Sequence, residues 1–526
     1  MSSKIFTVNF LAPQITRYYK RQTKFAIMVD GFDTHDSALG TSQSVKSASE
    51  VSALLTFLTM IGNYQRRVVH GGLSAISVIA GVLLLTVLFA RTSNAFAQQP
   101  QPTPSPSVLT PGIPQQSPSP QGSPTPADDG RPVLYGTQGV LVQALDGKVV
   151  AAQSENQQFN PASAVKLATA LIALRTFGPQ HRFATGVWSD GTLDKSTGVL
   201  SGNLYISGRD PSFHYEHAIS LARELNKLGI KQVSGDLVVA PGFTMNFNSS
   251  SRRSGEQLYD TLDSTIRSSE AINAWNYQRT LLNETIAPET VPTVAVMNAV
   301  IVGPVSPNAK LLLTQKSSKL SDILKVLLCY SNNFMAERIG EGLGGPSSVQ
   351  QQLTTLLGIG PSEIRLSSLS GLGSNRISPA VMMKIYRALL VELKKNGLAA
   401  SDILPVAGID PGTMRERFTG PAWRGSVIAK TGTLVRTDGG ASALVGQMKS
   451  QNGETLYFVI MNQRGSVTRF RENQDYLVML IQNTRGGPKS FDYKPVMLPM
   501  QLSDTESSLA TSEEYAPKIK GQMSHP

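Results

Sequence analysis

Apolar positions along this chain fall into three regimes. From Leu73 to Ala90 they run almost unbroken for 18 residues, behind Arg66-Arg67 and ahead of Ala95-Phe96-Ala97. A basic flank, an apolar core and a small-x-small end describe an export signal cleaved after Ala97. A core of that length borders on what spans a bilayer, so an uncleaved membrane anchor at 73–90 is the alternative. Residues 60–97 are therefore read as signal peptide or signal anchor, with Met60 giving a short basic lead. Residues 1–59 are read as a mis-called or dispensable extension. Either form of the signal exports the remainder, to the periplasm or cell envelope.

The second regime has no apolar period. Residues 98–129 are Pro/Gln/Ser-rich and predict a solvated linker. Residues 488–526 predict a largely disordered tail.

Between these lies periodic sequence. Val133–Ala144 alternates as a strand, Asp146-Gly147 supplies a turn, and Val149–Ala152 returns. After Pro161 a helical pattern carries Leu167, Leu171, Ile172 and Leu174 to a stop near Gly178-Pro179. Towards the other end, Val427–Ala429 opens a strand. A second hairpin follows, Ala441–Met448 and Thr455–Asn462 about Asn452-Gly453, then a closing helix from Thr468 to Gln482. Strands at both ends with helices between predict an α/β (α+β) domain over 130–209 and 310–487. Its antiparallel sheet is assembled from the two ends and flanked by helices. Residues 210–309, with short strands and polar loops, predict a smaller inserted accessory domain.

Composition excludes more than it identifies. With 40% hydrophobic and 16% charged residues the chain builds an ordinary core. The net charge is +11, of which nine basic and four acidic residues before Gln98 supply +5. The rest is spread thinly with no basic run, which argues against nucleic acid as a partner. The single cysteine, Cys329, lies in an apolar run and permits no intrachain disulfide. The six histidines form no metal-ligand pattern, so no metal or cofactor is expected.

Three short motifs change the picture. Ser163-Ala164-Val165-Lys166 is the one S-x-x-K in the chain, and Lys430-Thr431-Gly432 the one K-[ST]-G. Ser331-Asn332-Asn333 is one of several S-x-N triplets, chosen because it follows the apolar helical run Leu324–Leu328 and so sits at a helix–helix turn. Ser163 and Lys166, three apart at a helix start, share a face, so the amine can take the hydroxyl proton if burial or a nearby cation lowers its pKa. Lys430 is placed to be that cation. Ser331 can relay a proton to a leaving amine, and Asn333 can hold a substrate amide and the lysine. Lys430 and Thr431 can bind a terminal carboxylate, and Gly432 permits a close backbone approach by a substrate strand. The backbone N–H groups of Ser163 and Thr433 can form an oxyanion hole.

With these residues the chain resembles the penicillin-recognising serine enzymes, in particular the class C low-molecular-mass penicillin-binding proteins. Pro161-Ala162-Ser163, Gly202-Asn203-Leu204-Tyr205, Gly208-Arg209-Asp210-Pro211, Gly235-Asp236-Leu237, Ser370-Gly371-Leu372 and Asn375-Arg376-Ile377-Ser378 extend the likeness over 130–485. The resemblance implies a transpeptidase/β-lactamase-like domain with an insertion between the first two motifs. It implies a serine D-alanyl-D-alanine carboxypeptidase, also an endopeptidase in some members, acting on peptidoglycan stem peptides and acylated by β-lactams. The motif interval Ser163 to Ser331, 168 residues, is short for the family, and Gly-Arg-Asp-Pro stands where Gly-Gly-Asp-Pro is usual. A β-lactamase would need a deacylating carboxylate; Glu337, Glu341 and Glu363 follow the second motif, and none has Asn four residues on. A non-catalytic wall-binding protein on the same fold is the other alternative.

Overall fold

The computed structural model describes residues 135–283 and 291–510. The expectations for 1–59, 60–97 and 98–129, the anchor at 73–90 included, lie outside these residues. In chain order the elements that position the site begin with β1 (Thr137–Ala144), β2 (Val149–Gln153) and α1 (Lys166–Phe177). Next come β3 (Ala184–Ser189), β4 (Leu204–Gly208), α2 (Tyr215–Lys227), β5 (Leu237–Val239), α3 (Ser251–Leu262), β6 (Val300–Val302) and β7 (Lys310–Lys316). The chain continues through α4 (Leu320–Tyr330), α5 (Asn333–Gly342), α6 (Pro379–Lys395), β8 (Val427–Leu434), β9 (Ala441–Lys449) and β10 (Thr455–Gln463). It closes with α7 (Val467–Asn483), α8 (Leu498–Ser503) and β11 (Glu506–Leu509).

The first sheet is antiparallel in the order β8-β9-β10-β1-β2. The chain's early hairpin therefore pairs with its late one, Thr137 lying opposite Gln463. Alternate side chains leave its two faces. Leu141, Ile428, Val445 and Val459 point into a large core with α1, α4, α5 and α6. Val140, Val142, Leu444 and Phe458 face a second layer that includes Val478 of α7. Helix α1 is buried on all sides from Lys166 to Leu174, which explains why its apolar residues show no single stripe. Gly178, at φ 78°, ends it by donating to the Leu174 carbonyl.

The second sheet runs β6-β5-β4-β3-β7-β11, parallel between β6, β5 and β4 and antiparallel beyond. Helices α2 and α3 cover a separate core from Val187 to Leu313. Strands on either side of the 210–309 span, namely β3, β4 and β7, belong to this same sheet, because their apolar faces close over Leu221, Leu225 and Leu258.

The described part of the tail, to residue 510, differs from the expectation of disorder after 488. Leu498 and Leu502, one helical turn apart, are buried, and β11 extends the second sheet by pairing with β7. Its Ser/Glu-rich composition reads as solvated because an edge strand needs few apolar side chains once its backbone groups are paired.

Candidate active site

Ser163 sits in a 3-10 turn, Ala162–Val165, that runs directly into α1. Ala162 is held at φ 46°, a left-handed conformation costly for alanine. The surroundings over-determine it. Asn160 accepts the Ala162 N–H at 3.0 Å and donates to Asp438 Oδ2 at 2.7 Å and to the Gly373 carbonyl at 2.9 Å. Arg376 fixes Asp438 with two hydrogen bonds of 2.7 and 3.1 Å. Two glycines press on the turn. A Cβ on Gly371 would lie 2.2 Å from the Ala162 carbonyl oxygen, and one on Gly432 2.3 Å from that of Pro161. The Gly432 space is therefore filled by the Ser163 turn, where the sequence reading reserved it for a substrate strand.

Lys166, one turn on, is fully buried. Its Nζ lies 3.0 Å from Ser163 Oγ and 2.8 Å from Asn333 Oδ1, and it also donates to the Ser370 carbonyl. Burial, then the nearby Lys430 charge, lowers its pKa well below the usual lysine value, against a smaller opposing pull from Glu337. The two carbonyl oxygens can only accept. A neutral amine has two N–H groups for them and one lone pair left. That lone pair faces the Ser163 hydroxyl, the arrangement required of a general base.

Ser331 caps the C-terminus of α4 at φ 57°, ψ 42°, and Asn332 caps the N-terminus of α5 by accepting the Met335 N–H at 3.0 Å. Capping by the middle residue frees its two neighbours. Ser331 Oγ lies 2.8 Å from Lys430 Nζ, and Asn333 reaches Lys166. Lys430 is fully buried and also donates to the Thr431 carbonyl at 2.7 Å; burial lowers its pKa to about 7.

Strand β8 is a sheet edge. Its first half is covered, since Ala407 N–H donates to the Val427 carbonyl and Ala429 N–H to that of Pro405. By the period of two, the backbone groups of Thr431 and Thr433 face the same side, past the end of that cover. The eight residues singled out in the sequence, Ser163, Lys166, Ser331, Asn333, Lys430, Thr431, Gly432 and Thr433, are thus brought together where the Ser163 turn meets β8.

Sequence reasoning missed several supports. Ser370 serves through its carbonyl, which no side-chain motif reveals. Glu337 accepts the Ser370 N–H at 2.8 Å and so anchors the backbone at that residue. Glu341 pairs with Arg338, and Glu363 accepts the Gly360 N–H at 2.6 Å. All three carboxylates weighed for deacylation are thus engaged away from Ser163. Among the described residues no cluster of His, Cys, Asp or Glu could hold a metal ion.

Comparison with known proteins bears on this geometry. The model of the D-Ala-D-Ala carboxypeptidase 3 (S13) family matches residues 129–261 and 276–484. A D-alanyl-D-alanine carboxypeptidase of Actinomadura sp. (strain R39) is 25% identical over 423 residues, covering 61% of this chain and 77% of the relative. A carboxypeptidase of Mycobacterium tuberculosis (strain ATCC 25618 / H37Rv) is 26% identical over 364 residues, 62% of this chain and 76% of its own. In fold the chain is similar to Bd3459, a predatory peptidoglycan endopeptidase from Bdellovibrio bacteriovorus, with a TM-score of 0.59 and 21% identity over 72% of this chain and 99% of that one.

Proposed function

Since the chain belongs to the D-Ala-D-Ala carboxypeptidase 3 (S13) family, we propose that the acylable nucleophile of this serine-type carboxypeptidase is Ser163. Its base is Lys166. The observation that carries the assignment is the bonding of Lys166, whose two obligate acceptors leave the lone pair on the Ser163 hydroxyl. Ser163 attacks the carbonyl of the penultimate D-alanine of a peptidoglycan stem peptide. The oxyanion rests on the N–H groups of Ser163 and Thr433. Ser331, bonded to Lys430, passes a proton to the departing amine, and Thr431 with Lys430 receives the substrate's carboxylate. Water then hydrolyses the acyl-enzyme. Penicillins enter by the same acylation, as the penicillin G-acylated form of Bd3459 illustrates for a protein of this fold.

The same reading assigns the exported position and the signal or anchor at 60–97 and 73–90, and treats the second sheet as the accessory domain. The test is labelling of the full-length protein with a fluorescent penicillin, resolved on a denaturing gel beside Ser163→Ala. Persistent label on the parent and none on the variant is expected. A folded parent that takes no label returns the wall-binding alternative, and turnover of the β-lactam within seconds returns the β-lactamase.

A further inference from the structure

Lys430 is poorly suited to be the sole cation for a substrate carboxylate. Its Nζ is already committed to the Thr431 carbonyl at 2.7 Å and to Ser331 Oγ at 2.8 Å. With burial lowering its pKa to about 7, the amine is charged in only part of the population at neutral pH. An anion at this edge calls for a second, permanent charge.

One is present in the first turn and a half of α7. Arg471 is exposed, and its Nη2 donates to Thr433 Oγ1 at 2.8 Å. Thr433 and Thr431 project from the same face of β8, two residues apart at the uncovered part of the edge. Among the described residues no carboxylate lies within ion-pair distance of Arg471. Asp475, one turn along the same helix, is taken by Arg417 through Nε at 2.9 Å and Nη2 at 2.5 Å. A guanidinium has five N–H donors in a planar fork and keeps its charge throughout the physiological range. Thr433 occupies one of them.

We propose that Arg471 determines specificity in this site by pairing with the α-carboxylate of the leaving amino acid, alongside the hydroxyls of Thr431 and Thr433. The division of labour is chemical. Lys430 holds Ser331 for proton transfer and adds only a partial charge at the carboxylate, and Arg471 supplies the fixed charge that selects a substrate ending in one. The inference rests on the reading of Ser163 as nucleophile, so the experiment separates the two.

Full-length wild type, Arg471→Gln and Arg471→Lys are assayed on two peptides ending in D-Ala-D-Ala, one with a free carboxylate and one as the carboxamide. Loss of one charge-assisted contact lowers kcat/KM on the carboxylate peptide by about ten- to hundredfold in Arg471→Gln, chiefly through KM. Activity on the carboxamide peptide stays near wild type. Arg471→Lys keeps the charge without the fork and falls between the two. An unchanged carboxylate-to-carboxamide ratio in Arg471→Gln overturns the proposal, as does an equal fall on both peptides. If the Gln variant does not fold, an unchanged ratio in Arg471→Lys overturns it instead. A wild type that turns over neither peptide and takes no penicillin at Ser163 removes the underlying reading, and this inference with it.

Discussion

Of the three lysines fully buried among the described residues, Lys166 and Lys325 make a contrasting pair. Lys325, in the middle of α4, donates to the carbonyls of Ser401 and Leu404 at 2.8 Å each and to Asp410 Oδ2 at 2.7 Å. All three partners only accept, so all three hydrogens of an ammonium are needed and the charge is matched by a carboxylate. Tyr493 completes the arrangement by donating to Asp410 Oδ1 at 2.7 Å. Lys166 also has two carbonyl partners, but its third neighbour is the Ser163 hydroxyl, which can give as well as take a proton. One exchanged partner separates a structural cation from the proposed base. Burial sets the stakes for both, and the third contact decides the role.

The largest expected effect is at Lys166. Replacing it with Met removes the base, and the rate of Ser163 acylation falls by about 10²- to 10⁴-fold, as followed by stopped-flow or timed labelling with a fluorescent penicillin. Circular dichroism is expected to show the fold retained. The comparison breaks if acylation survives.

Lys325→Met should show the reverse pattern. Leaving Asp410 buried without its partner costs about 3–5 kcal/mol of stability, read as a fall in denaturant midpoint. Acylation per folded molecule remains close to wild type. A variant with unchanged midpoint and slow acylation would mean that Lys325 belongs to the chemistry.

A smaller and more diagnostic effect concerns pH. The pKa of Lys430 is near 7 when folded and 10.5 as the ordinary value, so between these limits the unfolded chain binds more protons than the native one. Its contribution to stability is fully present above 10.5, is lost progressively as pH falls, and is gone below about 7. Thermal scans from pH 7 to 10 should therefore show the wild type gaining stability relative to Lys430→Met as pH rises. A constant gap would contradict the buried, shifted amine.

How much of this was legible in the sequence depended on distance along the chain. Ser163 and Lys166 are neighbours on one turn, so their contact follows from spacing alone. The sheet assembled from both ends was also readable, because the two hairpins announce themselves by alternation and turn residues. Lys325 was not. It sits inside the apolar run of α4 and its carboxylate is 85 residues away, so only the fold joins them. The Ser370 carbonyl was hidden for a different reason, since a backbone group leaves no trace in residue type. The extent of the second sheet was obscured because β3 takes its other partner, β7, from beyond residue 309, and nothing in either strand's pattern announces the pairing. Arg471 drew no notice in a helix read for its apolar positions.

The pairing of Thr137 with Gln463 has a consequence for the order in which the molecule comes into being. The partners are 326 residues apart, and β8, which carries Lys430, precedes β10 by only one strand. At about 5–20 residues per second the early hairpin waits on the order of tens of seconds for the strand that completes its sheet. For most of that interval Ser163 has been made but Lys430 has not, and the Ser163 turn lacks the strand that packs against it. The site proposed for this hydrolase is thus assembled late, once most of the chain has been made. The same long-range closure raises the contact order and slows folding, which leaves the one unpaired edge of β1 in need of protection on the way.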